Sequence, residues 1–314
     1  GFFVAFLISL GGLAFNIGNI GGASMGLNIV FGIDTTTAAA ISGILGILLF
    51  ASPKMGGVLD NTAKVLGTVM LVLIGYVAFS TNPPVAEAAT HAIVPTHYPW
   101  LATITLIGGT VGGYITFSGG HRLIDAGITG REHLNDVRRA AFMGMSVDAI
   151  VRILLFLAVL GVVSMGFALD PKDPAGSAFL LGAGEIGHKL FGIVFFCAAL
   201  TSVVGAAYTS VSFLKTLFKV VERYEKLTIM AFIFVSTCIL IFIGKPATLL
   251  IVAGSVNGLI LPVTLAVMLL ATRKTNIVGD YKHNPVLFYT GWIVVLVTAY
   301  IGVTSLQGIA KLLG

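Results

Sequence analysis

The feature that most constrains this chain is a succession of apolar stretches, most about as long as a bilayer is thick and nearly free of charge. A helix needs about 20 apolar residues to cross the hydrocarbon core. Nine candidate spans follow one another, at 2–31, 35–52, 62–82, 99–126, 139–168, 188–214, 227–244, 247–271 and 287–310. Turn chemistry and charge gather between them, as at Asp34-Thr35-Thr36, Ser52-Pro53-Lys54, Asn82-Pro83-Pro84, Asp170-Pro171-Lys172-Asp173-Pro174, Gly244-Lys245-Pro246 and Asn284-Pro285. The second span is short and must tilt or lengthen by a few residues. Only 10% of the 314 residues are charged and 57% are hydrophobic, against about 25% charged in a soluble domain. Such a chain lacks the polar surface a water-soluble fold requires. It is equally unlike a disordered segment or a nucleic-acid-binding module. A transmembrane barrel is excluded as well, because barrel strands alternate apolar and polar residues over about ten positions. The expected fold class is an all-α polytopic membrane protein.

The net charge of +5 follows the topology. Thirteen of the 18 Lys and Arg residues fall in the alternate loops that begin with the one between the second and third spans. Four, Lys172, Lys189, Lys245 and Lys311, fall on the opposite side, and Arg152 lies within a span. Cytoplasmic loops carry the excess of basic residues. The expected location is therefore a bacterial-type plasma membrane, with residue 1 cytoplasmic and residue 314 extracellular. The chain opens on Gly1-Phe2-Phe3-Val4 without methionine or a basic signal-peptide region, so its natural N-terminus is expected to lie upstream. Cys197 and Cys238 both sit inside apolar runs and imply no disulfide or metal framework.

The most informative stretch lies in the fourth span, Gly108-Gly109-Thr110-Val111-Gly112-Gly113-Tyr114-Ile115-Thr116-Phe117-Ser118-Gly119-Gly120, with six glycines in thirteen residues. Each glycine disfavours a helix by about 1 kcal/mol relative to alanine. A glycine-interrupted span points to a transporter binding site, where unwound backbone must be satisfied by substrate, ion or water. Close packing against a neighbouring helix would use the same residues. Gly108, Gly109, Thr110, Gly112, Gly113, Tyr114 and Thr116 are the candidate substrate-binding residues.

Other polar residues within or beside spans are candidates for the pathway or for coupling. Asn16 and Asn19 share one helix face and should look into the bundle, as pathway lining or as interhelical hydrogen-bond partners. Asp148 and Arg152, four apart, can pair along their helix as a structural lock or a gate. His121, with Arg122 and Asp125, follows the glycine-rich stretch toward the cytoplasm and could titrate near neutral pH. Asp60 and Asn61 suit the N-cap of the third span. Tyr208 belongs to a hydroxyl-rich segment with Thr201, Ser202, Thr209, Ser210 and Ser212, which could line a cavity or bond back to the helix. Asn257 is a lone polar residue in the eighth span, where bonding between helices is the default role. No catalytic constellation and no phosphate-cradling loop occurs. The chain therefore reads as a non-enzyme that needs no cofactor.

Three segments together resemble the Nramp family of secondary transporters. Leu13-Ala14-Phe15-Asn16-Ile17-Gly18-Asn19-Ile20-Gly21, with Leu27-Asn28-Ile29-Val30-Phe31-Gly32-Ile33, resembles the family's third helix. Gly108-Gly109-Thr110-Val111-Gly112-Gly113-Tyr114 aligns with its discontinuous sixth helix. Asn257-Gly258-Leu259-Ile260-Leu261-Pro262, followed by Arg273-Lys274, resembles its tenth helix and the loop beyond. The resemblance implies a LeuT-type inverted repeat in one transporter domain covering 1–314. Residues 1–82 would be the remainder of the first repeat, 99–271 the second repeat and 287–310 an extra helix. It also implies that helices one and two precede this sequence.

The departures from the family pattern bear on function. By the resemblance, Gly112 stands where a metal-binding methionine is expected, and Gly109 where a backbone carbonyl joins it. Tyr114 replaces a histidine, and Asn16 and Asn19 replace an acidic pair linked to proton movement. Loss of the thioether argues against soft transition metals, and amides carry no proton at accessible pH. Two substrate classes follow. One is a hard divalent cation such as magnesium, partly hydrated and held by oxygens. The other is a small organic acid or amino-acid-like solute, held at half-helix N-termini. The expected partners are the lipid bilayer, the ion or small-molecule substrate and a coupling cation, with no nucleic acid.

Overall fold

A computed structural model describes residues 2–130, 132–215 and 217–313, without the side chains of residues 53–60, 63, 116, 121, 122, 125, 312 and 313. All regular structure among the described residues is helical. The elements are α1 (Phe2–Phe31), α2 (Thr35–Ala51), α3 (Pro53–Ser80), α4 (Val85–Ile93), α5 (Trp100–Val111), α6 (Gly113–Asp125) and α7 (Leu134–Ser164). They continue with α8 (Pro174–Lys215), α9 (Lys219–Arg223), α10 (Glu225–Ile243), α11 (Pro246–Ala271), α12 (Thr275–Val278) and α13 (Pro285–Leu313).

The local sequence explains most boundaries. Asp34 caps α2 by accepting from the N–H groups of Thr36 and Thr37, each at 3.1 Å. Pro53 and Pro246 open α3 and α11 at the position where a missing N–H costs nothing. Gly244 closes α10 in the left-handed conformation, with φ of 67°. Asn82, Pro83 and Pro84 end α3, and the chain bends by 103° into α4.

Among the described residues, seven spans, with Trp100–Gly120 counted as one, are long and apolar enough to cross a membrane, or up to eight if that bent pair is one more. The second expected span is the 17-residue apolar helix α2. Two expectations are corrected in detail. The third span begins at Pro53, so Asp60 and Asn61 lie inside α3 and do not cap it. The sixth begins at Pro174 and is kinked at Gly184, whose φ of 67° and ψ of −171° break the helix. The fourth is two helices, α5 and α6, as its glycines predict.

Burial is inverted relative to a soluble protein. Phe242 and Phe79 are 88% and 83% exposed, whereas Asn16, Ser236, Ser255 and Asn257 are fully buried. Lipid is the solvent that suits such a surface, and interior polar groups there must bond within the protein.

The chain forms two compact units. The first comprises Gly1–Gly21, Pro99–Leu123 and Val203–Gly314. In it α11 packs on α5 and α13. Small residues let the backbones approach: a Cβ on Gly108 would strike the Gly254 carbonyl, and one on Gly258 would lie 2.5 Å from the Ile104 carbonyl. Thr105 and Ser255 add a hydroxyl pair at 2.8 Å across the same seam.

The second unit comprises Gly22–Tyr98 and Ile124–Ser202. Its core joins α3, α7 and the first part of α8 through Ile74, Val77, Val162, Phe179 and Phe191. The rings of Phe179 and Phe191 stack at 4.6 Å.

Candidate functional site

The helical break lies in the first unit. α5 ends at Val111, Gly112 is extended with φ of −51° and ψ of 160°, and α6 begins at Gly113. The two helices would otherwise form one span. Extended backbone at this depth is tolerated only where protein buries it or a cavity receives it. Gly112, Gly113 and Tyr114 are all buried.

Three neighbouring elements crowd the break, and glycine is what admits them. A Cβ on Gly112 would strike the Gly108 carbonyl and lie 2.8 Å from Cβ of Asn257 on α11. A Cβ on Gly113 would lie 2.5 Å from Ile260 and 2.7 Å from the Thr264 hydroxyl, also on α11. From α1, Gly11 faces Oδ1 of Asn257, and Gly12 faces Ser210 and the ring of Tyr114. The Tyr114 hydroxyl donates to the Ala206 carbonyl of α8 at 3.2 Å, and its ring lies 5.9 Å from that of Phe15.

Asn257 is a fully buried side chain packed against this junction. Its Nδ2 donates to the carbonyls of Gly11 at 3.0 Å and Ala253 at 3.1 Å, while its Oδ1 has no hydrogen-bond partner among the described residues. Five residues further along, Pro262 has no N–H, so the Gly258 carbonyl lacks its usual helical donor.

The site is electrically neutral among the described residues. None of the atoms packed closest to Gly108, Gly112 and Gly113 is a sulfur or a carboxylate oxygen. The acidic residues of this unit are Glu222, Glu225 and Asp280. Of these, Glu225 pairs with Lys215 at 2.9 Å, well along the chain from the break. No group of three or more His, Cys, Asp or Glu side chains that could hold a metal occurs among the described residues.

The structure sorts the other sequence candidates. Gly108, Gly112, Gly113, Tyr114 and Asn257 come together. Gly109 has no heavy atom within 4 Å of its Cβ position, and the Thr110 hydroxyl bonds back to the Leu106 carbonyl. Asn16 donates through Nδ2 to Ser236 Oγ of α10 at 3.1 Å and leaves its Oδ1 unpartnered. Asn19 leaves its Nδ2 unpartnered. Thr209 and Ser210 near Tyr208 bond back to the carbonyls of Gly205 and Ala206, while Tyr208 itself is half-buried. Asp148 and Arg152 belong to the second unit and pair at 2.8 Å. The side chains of Thr116 and His121 lie outside the described residues. Sequence reasoning missed Gly11, Gly12 and Ser236. A Gly-Gly pair in the first span was the available signal for the first two, and nothing in the sequence marked Ser236.

Comparison with known proteins places this geometry. A family profile described as natural resistance-associated macrophage protein-like, Nramp, matches residues 1–307. An uncharacterized membrane protein, YcsG, of Bacillus subtilis is 51% identical over 306 residues, which is 98% of this chain and 76% of that protein. An uncharacterized membrane protein of Haemophilus influenzae is 51% identical over 299 residues, 95% of this chain and 75% of its own length. Among solved structures, the Eremococcus coleocola manganese transporter in complex with an aromatic bis-isothiourea substituted compound superposes with a TM-score of 0.70 at 17% identity. The match covers 99% of this chain and 72% of that one. A mutant of the same transporter gives 0.70 at 17% identity, over 98% and 72%. At this identity the likeness is one of fold.

Proposed function

The chain belongs to the Nramp family of membrane transporters and shares its LeuT-type helical fold, and from that premise we propose that it carries a hard, partly hydrated divalent cation such as magnesium by alternating access. The substrate would sit at the break around Gly112. The observation that carries this reading is the chemistry of the break, where buried groups offer neutral oxygen and none of the atoms packed closest to Gly108, Gly112 and Gly113 is a sulfur or a carboxylate oxygen. Hard cations take oxygen ligands and keep several waters, whereas thioethers select softer metals. The Eremococcus coleocola relative by fold is a manganese transporter. Gly112, which stands in the expected methionine position, separates this chain from a soft-metal site.

A second reading has its own support. No carboxylate among the described residues lies at the break to balance two positive charges. This favours a small organic acid or amino-acid-like solute. The unpartnered Asn257 Oδ1 weighs the other way, because it is an acceptor and a carboxylate needs donors.

A thermal-shift titration of the purified full-length protein separates the two. The ligands are magnesium, manganese and a panel of amino and carboxylic acids at fixed ionic strength. A ligand that binds only the folded state at 100 times its Kd stabilises it by about 2.7 kcal/mol. The expected result is a saturable rise with magnesium and none with any organic acid. A rise with one organic acid and none with metals would overturn the cation reading.

A further inference from the structure

The Asn257 side chain has a fixed orientation. Its Nδ2 lies 3.0 Å from the Gly11 carbonyl and 3.1 Å from the Ala253 carbonyl. Turning the amide over would put its oxygen against two carbonyl oxygens, an arrangement with no proton to share. The nitrogen is therefore the anchored end and the oxygen the presented end. That oxygen is fully buried and has no donor among the described residues. A Cβ on Gly11 would lie 2.7 Å from it and 3.2 Å from Cβ of Tyr114, and Cβ of Asn257 itself lies 2.8 Å from the Cβ position of Gly112. The orphaned acceptor thus stands where α1, the break and the first turn of α6 meet.

What can satisfy it follows from its surroundings. The nearby backbone oxygens, those of Gly11, Gly108 and Ala253, are acceptors too. A carboxylate placed there would find its donors only at the N-terminal N–H groups of α6. A cation, or a water held by one, would be attracted to all of these oxygens. Amide and peptide oxygens are hard donors and pair with hard cations.

Resting on the hard-cation reading above, we propose that Asn257 is a ligand of the transported ion, its carbonyl oxygen coordinating the cation and so selecting hard over soft metals. The two hydrogen bonds from its nitrogen are then the device that aims the oxygen. An Asn that served only to tie α11 to α1 would need the nitrogen alone.

Two variants of the full-length protein test this. Asn257→Cys replaces the hard oxygen by a thiol of similar size. Its ratio of cadmium to magnesium affinity, measured by competition in proteoliposome uptake, should rise at least tenfold over that of wild type. The wild type carries the same Cys197 and Cys238 and so supplies the cadmium background. Asn257→Asp keeps an oxygen in place, adds a negative charge and removes both donated hydrogen bonds. If Asn257 is a ligand, magnesium affinity should tighten at least tenfold even though the unliganded protein melts lower. If Asn257 is only a brace, the Asp variant melts lower with magnesium affinity unchanged or weakened, and that result overturns the proposal. Wild-type magnesium binding with an unchanged metal ratio in the Cys variant overturns the ligand assignment alone. No metal binding by the wild type overturns the hard-cation reading and the assignment with it. Should the Cys variant not fold, the Asp variant decides.

Discussion

Replacing Gly112 by alanine tests how tightly the break is held. The added methyl carbon would lie 2.8 Å from Cβ of Asn257 and would strike the carbonyl of Gly108. Carbon atoms normally approach to about 3.5–4.0 Å, so the neighbours must yield by about 0.7–1.2 Å. Neither yields easily. The Asn257 Cβ is fixed to α11 by its backbone, and its amide is tied to α1. The Gly108 carbonyl is itself backbone, on the α5 face that packs against Gly254 and Gly258. The dihedral angles of Gly112, φ −51° and ψ 160°, suit alanine, so the whole penalty is steric. Overpacking of this kind costs about 1–3 kcal/mol, which is about 5-fold to 150-fold in an equilibrium between working and distorted conformations. Gly109 is the control. No heavy atom lies within 4 Å of its Cβ position, and alanine there favours the helix by about 1 kcal/mol. Initial rates of magnesium uptake into proteoliposomes and melting temperatures in detergent read the two effects. G112A should lower uptake at least fivefold and melt lower. G109A should keep uptake within twofold and melt no lower. Equal behaviour of the two variants would refute the assignment of Gly112 to a crowded break.

Two further outcomes are expected in the second unit. Gly184→Ala forces a side chain into φ 67°, ψ −171°, a region essentially restricted to glycine. It should destabilise the protein by about 1–3 kcal/mol, read as a lower melting temperature. For the ion pair on α7, Asp148→Asn or Arg152→Gln alone leaves a lone charge in a span. That costs about 2.5–3.5 kcal/mol at a helix centre. The double variant removes both charges and should recover most of the folded yield, measured by size-exclusion chromatography; a double variant worse than either single one would count against a structural lock.

Much of this fold is written in composition and periodicity, because a bilayer imposes one length and one polarity on every span. The ends of α1 and α10 follow from apolar runs closed by Gly32 and Gly244, and the start of α11 from Pro246. The break near Gly112 is legible too, since six glycines in thirteen residues oppose a continuous helix. What the glycines do individually is not legible. Gly108 admits the backbone of α11, Gly112 and Gly113 admit its side chains, and Gly109, Gly119 and Gly120 face no atom within 4 Å. These roles depend on residues more than 130 positions away in the chain. Asn257 shows the same limit. Its isolation in an apolar span fits an interhelical bond, and it makes one to Gly11. Only the direction of its amide, set by two distant backbone atoms, marks its oxygen as available. The start of the sixth span was misread because Pro171 and Pro174 suggest a loop, whereas Pro174 begins a helix that the positive φ of Gly184 then bends.

On the proposed reading, the crowding at Gly112 would make metal preference a property of packing as well as of one side chain. By resemblance, position 112 is where a thioether would reach the substrate. In this chain that space is bounded by the Gly108 carbonyl and by Cβ of Asn257. A methionine there would have to displace α11, whose glycines are seated against α5 with backbone atoms in contact. On the proposed reading, the helix that fills this space also brings an amide oxygen to the break. An oxygen delivered on a rigid helix and aimed by two hydrogen bonds costs little side-chain entropy on binding, whereas a flexible methionine must be ordered each time. Such an exchange would put a hard, preoriented ligand in place of a soft, mobile one. Reintroducing sulfur at residue 112 alone would therefore not rebuild a soft-metal site, because the volume it needs is already occupied by the helix that carries Asn257.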